Sequence, residues 1–148
     1  MKVYRISKNQ FIHDLSGYGA AHYPGRWNSK GVFVLYTAAT ASLALLESVV
    51  HMDKLLRNGY SLATILLPDD KIQTILIEDL PQGWDTFPPP EKLKSLGDQF
   101  VRTSAFLALK IPSSIMPEDH NFLINPQHAA FNQVKIDNVR ELRIDSRL

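Results

Sequence analysis

The chain of 148 residues contains no cysteine. Disulfide bonds, thiolate-bound metals and a cysteine nucleophile are therefore excluded together, and the redox compartment stays undetermined. The chain also lacks an apolar run of the roughly 20 residues that a membrane helix needs. Its first ten residues hold no apolar core of a secretory signal. We therefore expect a cytoplasmic protein that makes no membrane contact.

A surplus of charge of one sign is lacking as well, since 16 basic and 15 acidic residues leave a formal net charge of +1. This balance offers no basic field for nucleic acid, so direct nucleic-acid binding is not expected. Phosphate-loop, dinucleotide and nucleophile-elbow motifs are absent, and the five histidines show no metal-ligand spacing. The sequence therefore predicts neither a metal site nor a common nucleotide-binding loop.

The composition is that of a soluble globular domain, with 45% hydrophobic and 21% charged residues. The length suits one domain that spans residues 1–148. Apolar runs and amphipathic segments predict about six strands and three or four helices. Because strands and helices do not alternate strictly, an α+β fold is favoured over a doubly wound parallel sheet.

Two local assignments bear on the topology. Residues 60–67 and 72–77 have the composition of strands separated by a proline turn, so we expect them to pair as a hairpin. Residues 91–94 are expected to form a short helix, and Gly97 with Asp98 to begin a second one. Both expectations use signals that are local in sequence.

The most informative stretch is residues 24–47, in which turn formers, an apolar strand and a helix follow one another. Arg26 lies in the turn region, Tyr36 at the end of the strand, and Glu47 on a helix that Thr40 can cap. The three side chains therefore belong to one compact supersecondary unit. An arginine, a phenol and a carboxylate so arranged suit an anionic ligand rich in hydroxyl groups.

Plainer interpretations exist for each candidate residue. Glu47 lies at the edge of the apolar arc of its helix, where a solvated surface glutamate would also lie. Arg5 shares a strand face with Val3 and points either to a cleft or, on an edge strand, to solvent. Ser113 and His128 suggest a nucleophile and its base, but no third partner is indicated, so a hydrogen-bonded loop serine is favoured.

Six short motifs occur in order along nearly the whole chain, and together they resemble the RES domain. They are Tyr4-Arg5, Gly25-Arg26-Trp27-Asn28, Leu35-Tyr36-Thr37, the helix 41–47, Ile111-Pro112-Ser113 and the run from Asn121 to His128. The resemblance implies a toxin of a bacterial type II toxin–antitoxin pair. It also implies a fold similar to that of ADP-ribosyltransferases, with mixed sheets, flanking helices and a cleft for NAD.

By position, the resemblance assigns roles to individual residues. It implies a catalytic role for Arg26, Tyr36 and Glu47. The residues it implies for NAD binding are Arg5, Arg26, Tyr36, Asn28 and Ser113. Which of Arg5 and Arg26 grips the pyrophosphate stays open.

The resemblance further implies that the protein depletes NAD by breaking its nicotinamide–ribose bond, with water or phosphate as acceptor. NAD is then a substrate, and no cofactor is expected. An Xre-like antitoxin with a helix-turn-helix and a homodimer within the toxin–antitoxin complex are the implied partners. Two alternatives stay open: transfer of ADP-ribose to a protein in the same cleft, and a non-enzymatic module that binds a nucleotide or a partner.

Overall fold

A mixed sheet of seven strands forms the centre of the computed structural model, which describes residues 1–53 and 57–148. The strands are β1 (Lys2–Lys8), β2 (Leu35–Ala38), β3 (Tyr60–Leu66), β4 (Ile72–Thr74), β5 (Ala108–Pro112), β6 (His120–Ile124) and β7 (Lys135–Leu142). The α-helices of the described ranges are α1 (Tyr18–His22), α2 (Ala41–Val49) and α3 (Glu91–Thr103). Short 3₁₀ turns occur at Asn9–Phe11, Ile77–Asp79 and Phe131–Gln133. The predicted α+β class is confirmed.

The strand order is β4-β5-β6-β2-β1-β3-β7, and every neighbouring pair is antiparallel except β4 and β5. The predicted hairpin of residues 60–67 and 72–77 is wrong. β3 lies between β1 and β7, whereas β4 forms the far edge of the sheet beside β5. Leu62, Ala63 and Ile65 are buried on both sides of β3, so this strand needs long partners on both edges. The short, mostly exposed β4 cannot supply that cover, and long-range pairing overrides the turn signal.

Helix α3 is continuous, so the predicted break before Gly97 is also wrong. A Cβ atom at Gly97 would lie 1.7 Å from the carbonyl oxygen of Trp27. The glycine is therefore required by the close approach of another segment rather than by a helix start. The helix ends at Ser104, whose φ of 52° places it in the left-handed region typical of helix C-termini.

Helix α2 begins as its sequence predicts. The Oγ1 atom of Thr40 accepts a hydrogen bond of 3.1 Å from the backbone N–H of Leu43 and so satisfies one unpaired donor of the first turn. Leu43 and Ala44 pack on the sheet against Ala38 and partly buried Tyr4. Among the described helices, none is both long and apolar enough to cross a membrane.

The sheet has two faces with different covers. Opposed residues of antiparallel strands share a face, so the pairs Tyr4 with Ala38 and Tyr36 with Leu123 lie on one side. Helices α2 and α3 pack on this side, which we call the helix face. The other side, here the loop face, carries Arg5 and a core that includes Val3, Ile12, Leu35, Ala63, Ile65, Phe122 and Ile124.

Candidate active site

Glu47 extends from the last turns of α2, and a pair of donors holds its carboxylate. The Oε1 atom accepts hydrogen bonds of 2.7 Å from Ser113 Oγ and 2.7 Å from Asn121 Nδ2. Within the described residues, no side chain or backbone group donates to Oε2. The half-buried carboxylate is therefore fixed at one oxygen and open at the other, unlike a freely solvated surface glutamate.

Ser113 follows β5 directly and is fully buried. Its Oγ accepts hydrogen bonds of 3.1 Å from the backbone N–H groups of Ile115 and Met116. With both lone pairs so used, the hydroxyl proton is directed to Glu47. The structure does not pair Ser113 with His128, whose Nδ1 accepts from the Ala130 N–H at 3.0 Å. Ser113 is arranged as a donor to Glu47 rather than as a nucleophile.

Asn121 is the partner of Glu47 that sequence reasoning missed. It is the second residue of β6 and lies opposite Ala38 of β2 and Ile111 of β5. Its side chain therefore emerges on the helix face, below α2. The alternation of β6 was visible in the sequence, but its pairing with β2, which brings Asn121 below the helix that carries Glu47, was not.

Tyr36 lies on the same face, and its hydroxyl is committed to the segment that carries Arg26. Tyr36 Oη donates to Asn28 Oδ1 at 2.7 Å and accepts from the Trp27 N–H at 3.1 Å. Burial raises the pKa of Tyr36, and the Trp27 N–H opposes that rise. A Cβ atom at Gly25 would lie 2.7 Å from Tyr36 Oη, so the glycine allows the ring to approach the chain. This geometry makes Tyr36 an anchor of residues 23–34, the segment between α1 and β2 that carries Arg26 and that we call the arginine loop.

Asn28 completes that anchor from inside the loop and has no exposed surface. Its Nδ2 donates to the carbonyl oxygens of Ala20 at 2.8 Å and Val32 at 3.1 Å. Its Oδ1 accepts from the Gly25 N–H at 2.9 Å as well as from Tyr36. In this arrangement Asn28 shapes the loop from inside, and the NAD-binding role that the resemblance implies for it stays a prediction.

The arginine loop is also fastened to α3. Asp98 accepts from the Ser29 N–H at 2.9 Å and from Ser29 Oγ at 2.6 Å. One residue earlier on the helix, Gly97 makes room for the backbone of Trp27. The position of Arg26 thus depends on both Tyr36 and α3.

Arg26 lies between Glu47 and the segment that precedes α3. Its Nη1 donates to the carbonyl oxygens of Trp84 at 3.0 Å and Thr86 at 2.7 Å. Burial lowers the pKa of Arg26, whereas the nearby charges of Glu47 and Asp85 raise it. Arg26 and Glu47 form no direct salt bridge, and no described group bonds Nε or Nη2 of Arg26. Part of the guanidinium fork is therefore left for a ligand.

Arg5 does not join this group, because it lies on the loop face. Its Nη1 donates to the carbonyl oxygens of Phe11 at 3.2 Å and Ile12 at 2.9 Å. Burial lowers the pKa of Arg5, and Asp14 raises it. The guanidinium holds the chain that covers the loop face, so of the two arginines only Arg26 accompanies Glu47.

Two surface clefts lie elsewhere. One, of about 450 Å³, is lined by Lys8, Asn9, Gln10, Asn58 and Gly59 at the end of β1. The other, of about 220 Å³, lies between α3 and the strands β4 and β5 and has no titratable lining residue. Neither contains a carboxylate. In the part of the chain that the structure describes, His, Asp and Glu side chains form no group of three that could hold a metal ion.

Chemically, the helix-face group combines a fixed carboxylate with a cation on a separate support. A carboxylate open at one oxygen can stabilise positive charge that develops beside it. A guanidinium with free donors can bind phosphate oxygens in a bidentate manner. The two functions suit a substrate that carries both an anionic group and a reacting centre that becomes cationic.

Comparison with known proteins identifies the family. The RES domain family matches residues 2–145. A protein named Toxin Res from Yersinia enterocolitica is 35% identical over 133 residues, which cover 88% of this chain and 88% of that protein. The Prs ADP-ribosylating toxin of a Sphingobium species is 39% identical over 140 residues, which cover 91% of this chain and 86% of that protein.

A solved structure supports the fold independently. A chain in the crystal structure of the M. tuberculosis MbcT–MbcA toxin–antitoxin complex superposes with a TM-score of 0.76, over 95% of this chain and 83% of that chain. The sequences are 17% identical, so this likeness concerns the fold alone. The family match covers nearly the entire sequence, and the resemblance seen in the motifs is confirmed: the chain belongs to the RES domain family of toxins.

Proposed function

We propose that this toxin consumes NAD by breaking the bond between nicotinamide and ribose. The observation that carries the proposal is the state of Glu47. Ser113 and Asn121 hold its Oε1, each at 2.7 Å, while Oε2 has no described donor. The charge of Glu47 also acts on Arg26. A carboxylate fixed in this way is suited to act on a developing positive charge.

The reaction requires such a charge. When the bond between ribose and nicotinamide breaks, its electron pair goes to the pyridinium nitrogen, and nicotinamide leaves as a neutral molecule. The ribose then carries an oxocarbenium-like charge, as in glycoside hydrolysis. A carboxylate held beside it stabilises that transition state more than the ground state. The oxygen of water or phosphate then bonds to the ribose carbon, and water releases its proton to solvent.

Arg26 is proposed to hold the pyrophosphate of NAD. A guanidinium fork matches phosphate oxygens better than the point charge of lysine does. Nη1 is engaged with the carbonyl oxygens of Trp84 and Thr86, which fixes the plane of the group and leaves the remaining donors for the substrate. Tyr36 and Asn28 contribute by holding the loop in place.

The test is a product assay with purified protein and NAD, followed by chromatography. We expect free nicotinamide together with ADP-ribose, or with phosphorylated ADP-ribose when phosphate is the acceptor. EDTA should leave the rate unchanged, because the proposed chemistry needs no metal. A folded protein that releases no nicotinamide would contradict the proposal. A rate lost with EDTA and restored by a divalent cation would contradict its metal independence.

A second candidate function is transfer of ADP-ribose to a protein. It is favoured by one specific observation, since the relative from Sphingobium is named an ADP-ribosylating toxin and is 39% identical. The same cleft and the same bond cleavage would serve both reactions. NAD labelled in its ADP-ribose part distinguishes them: the label stays in small molecules after hydrolysis or phosphorolysis and appears on protein after transfer. A binding module without activity would leave NAD intact.

We also propose that an Xre-like helix-turn-helix antitoxin neutralises this toxin. Support comes from the structural neighbour, which was solved as a toxin–antitoxin complex. Co-expression with the adjacent open reading frame should restore growth and yield a stable complex. Light scattering on that complex tests whether it contains two toxin chains. Growth arrest that persists in the presence of the complex would oppose neutralisation by binding.

A further inference from the structure

We infer that Asn121 is a positioning residue of the proposed reaction: its amide, together with the Ser113 hydroxyl, aims the free oxygen of Glu47 at the substrate. The inference rests on the proposed function and adds a residue to it. Asn121 would touch no reacting atom and would act through Glu47. Its effect should therefore appear in the rate of the chemical step.

The two donors come from a rigid support. Asn121 belongs to β6 and Ser113 follows β5, and these strands pair directly from Ala108 with Ile124 to Pro112 with His120. Glu47 comes from α2, which packs on the same face of the sheet. Both hydrogen bonds, each of 2.7 Å, meet the same oxygen. The sheet thereby sets the rotation of a carboxylate that the helix supplies, and Oε2 is left turned away from both donors.

Asn121 differs from Ser113 in one respect that makes it the sharper probe. Ser113 Oγ also accepts from the N–H groups of Ile115 and Met116, so its removal would disturb the following turn. Among the described residues, the only side-chain hydrogen bond of Asn121 is the one to Glu47. Removal of the Asn121 amide thus releases the carboxylate while the turn after β5 keeps its own bonds.

An aspartate at position 121 gives a readout that depends on charge. Asn121→Asp keeps the shape but places a second carboxyl group against Glu47. At low pH, two carboxyl groups as close as the 2.7 Å between Asn121 Nδ2 and Glu47 Oε1 share one proton. The protonated aspartic acid then donates a hydrogen bond to Glu47, as the Asn121 amide does. At higher pH both ionise and repel each other. The ratio of variant to parental kcat should therefore rise as the pH falls, by up to about tenfold per pH unit while the pair titrates.

Other charged groups near the pair are common to both proteins. Arg26 faces Glu47 from its loop, with Asp85 and Tyr36 around it. His120 precedes Asn121 but lies on the opposite face, and burial with the nearby charge of Lys110 lowers its pKa. Since the parent carries all of these, their titration cancels in the ratio.

The experiment measures kcat and KM for NAD from pH 5 to 8 in the parent, Asn121→Ala, Asn121→Asp and Asn138→Ala, with thermal melts of each. Asn138 is an exposed asparagine of β7 and serves as the matched control. A small misplacement of a reacting group typically costs on the order of 10²-fold in rate. We expect Asn121→Ala to lower kcat roughly 10- to 100-fold with KM nearly unchanged. Asn138→Ala should match the parent.

The outcomes distinguish failure of the proposed function from failure of the inference about Asn121. A parent that releases no nicotinamide overturns the proposed function and this inference with it. A parent that turns over NAD, with Asn121→Ala at the parental kcat, overturns the inference alone. An Asn121→Asp to parent ratio that stays constant with pH does the same. If Asn121→Ala does not fold, the pH profile of the isosteric Asn121→Asp decides.

Discussion

Two arginines on opposite faces of the sheet show how position decides use. Arg5 lies on the loop face, where its guanidinium donates to backbone carbonyls of Phe11 and Ile12 and to Ser7. Arg26 lies on the helix face, where only Nη1 is bonded to described groups and Glu47 is close enough to act on its charge. Both guanidinium groups donate from Nη1 to two backbone carbonyls, but only that of Arg26 lies beside Glu47, where its remaining donors can meet a ligand.

The contrast extends to the residues around each arginine. On the loop face, Arg5 donates to the carbonyl oxygen of Ile12, a residue of the hydrophobic core, and so holds the segment that covers this face. On the helix face, hydrogen bonds of Tyr36 and Asn28 hold the arginine loop in place. The guanidinium of Arg26 is therefore not needed for that purpose. We therefore expect a substitution of Arg5 to lower stability and a substitution of Arg26 to weaken substrate binding.

The largest effect on stability is expected from a substitution that disrupts the packing of α3 against the arginine loop. Gly97→Ala would place a Cβ atom 1.7 Å from the Trp27 carbonyl oxygen, so the loop must leave α3 or the helix must bend. Overpacking against backbone costs about 3 kcal/mol of unfolding free energy or more. Gly19→Ala is the matched control, because its Cβ would meet nothing within 4 Å. Urea unfolding of both variants checks this, and a Gly97→Ala protein as stable as Gly19→Ala would refute the close contact.

Substitution of each arginine in turn should separate the effect on stability from the effect on NAD binding. Arg5→Ala leaves the carbonyls of Phe11 and Ile12 without their donor and should cost about 1–2 kcal/mol in stability, with NAD affinity unchanged. Arg26→Ala should instead weaken NAD binding, and Arg26→Lys should restore it only in part. Thermal melts and NAD titrations of the three variants provide the measurement. A loss of NAD affinity in a folded Arg5→Ala protein, with Arg26→Ala unaffected, would reverse the assignment.

A smaller effect is expected from Tyr36 at alkaline pH. Its pKa in the folded protein lies above the ordinary value of about 10, chiefly because of burial. The folded state then keeps a proton that the unfolded state has lost, so this contribution to stability is full below about pH 10 and declines above it. The slope from one such group is at most about 1.4 kcal/mol per pH unit. Tyr36→Phe should remove that part of the slope between pH 9 and 11 in denaturant unfolding, and an unchanged slope would argue against a buried phenol.

Local rules predicted part of this architecture correctly. The cap at Thr40 and the helix after it depend on neighbouring residues alone, and both were recognised. The same holds for the order of turn, strand and helix that carries Arg26, Tyr36 and Glu47. These features need no knowledge of which strands pair.

Features that depend on long-range pairing were not accessible from one sequence. Asn121 is 74 residues from Glu47 in the chain, and their contact exists only because β6 pairs with β2 and α2 packs above them. Alternation put Arg5 on the face of Val3 but could not say which face would hold Glu47. Gly97 resembled a helix boundary because the approach of Trp27 leaves no trace in the neighbouring residues.

The central claim is that the Glu47 carboxylate stabilises the transition state of NAD cleavage. The most direct test is the comparison of kcat and NAD affinity between the parent and Glu47→Gln, with melting temperatures to show that both are folded. Glutamine keeps the size but removes the charge, so kcat should fall on the order of 10²- to 10³-fold while NAD affinity stays nearly constant. A folded Glu47→Gln protein that consumes NAD at the parental rate would contradict the account.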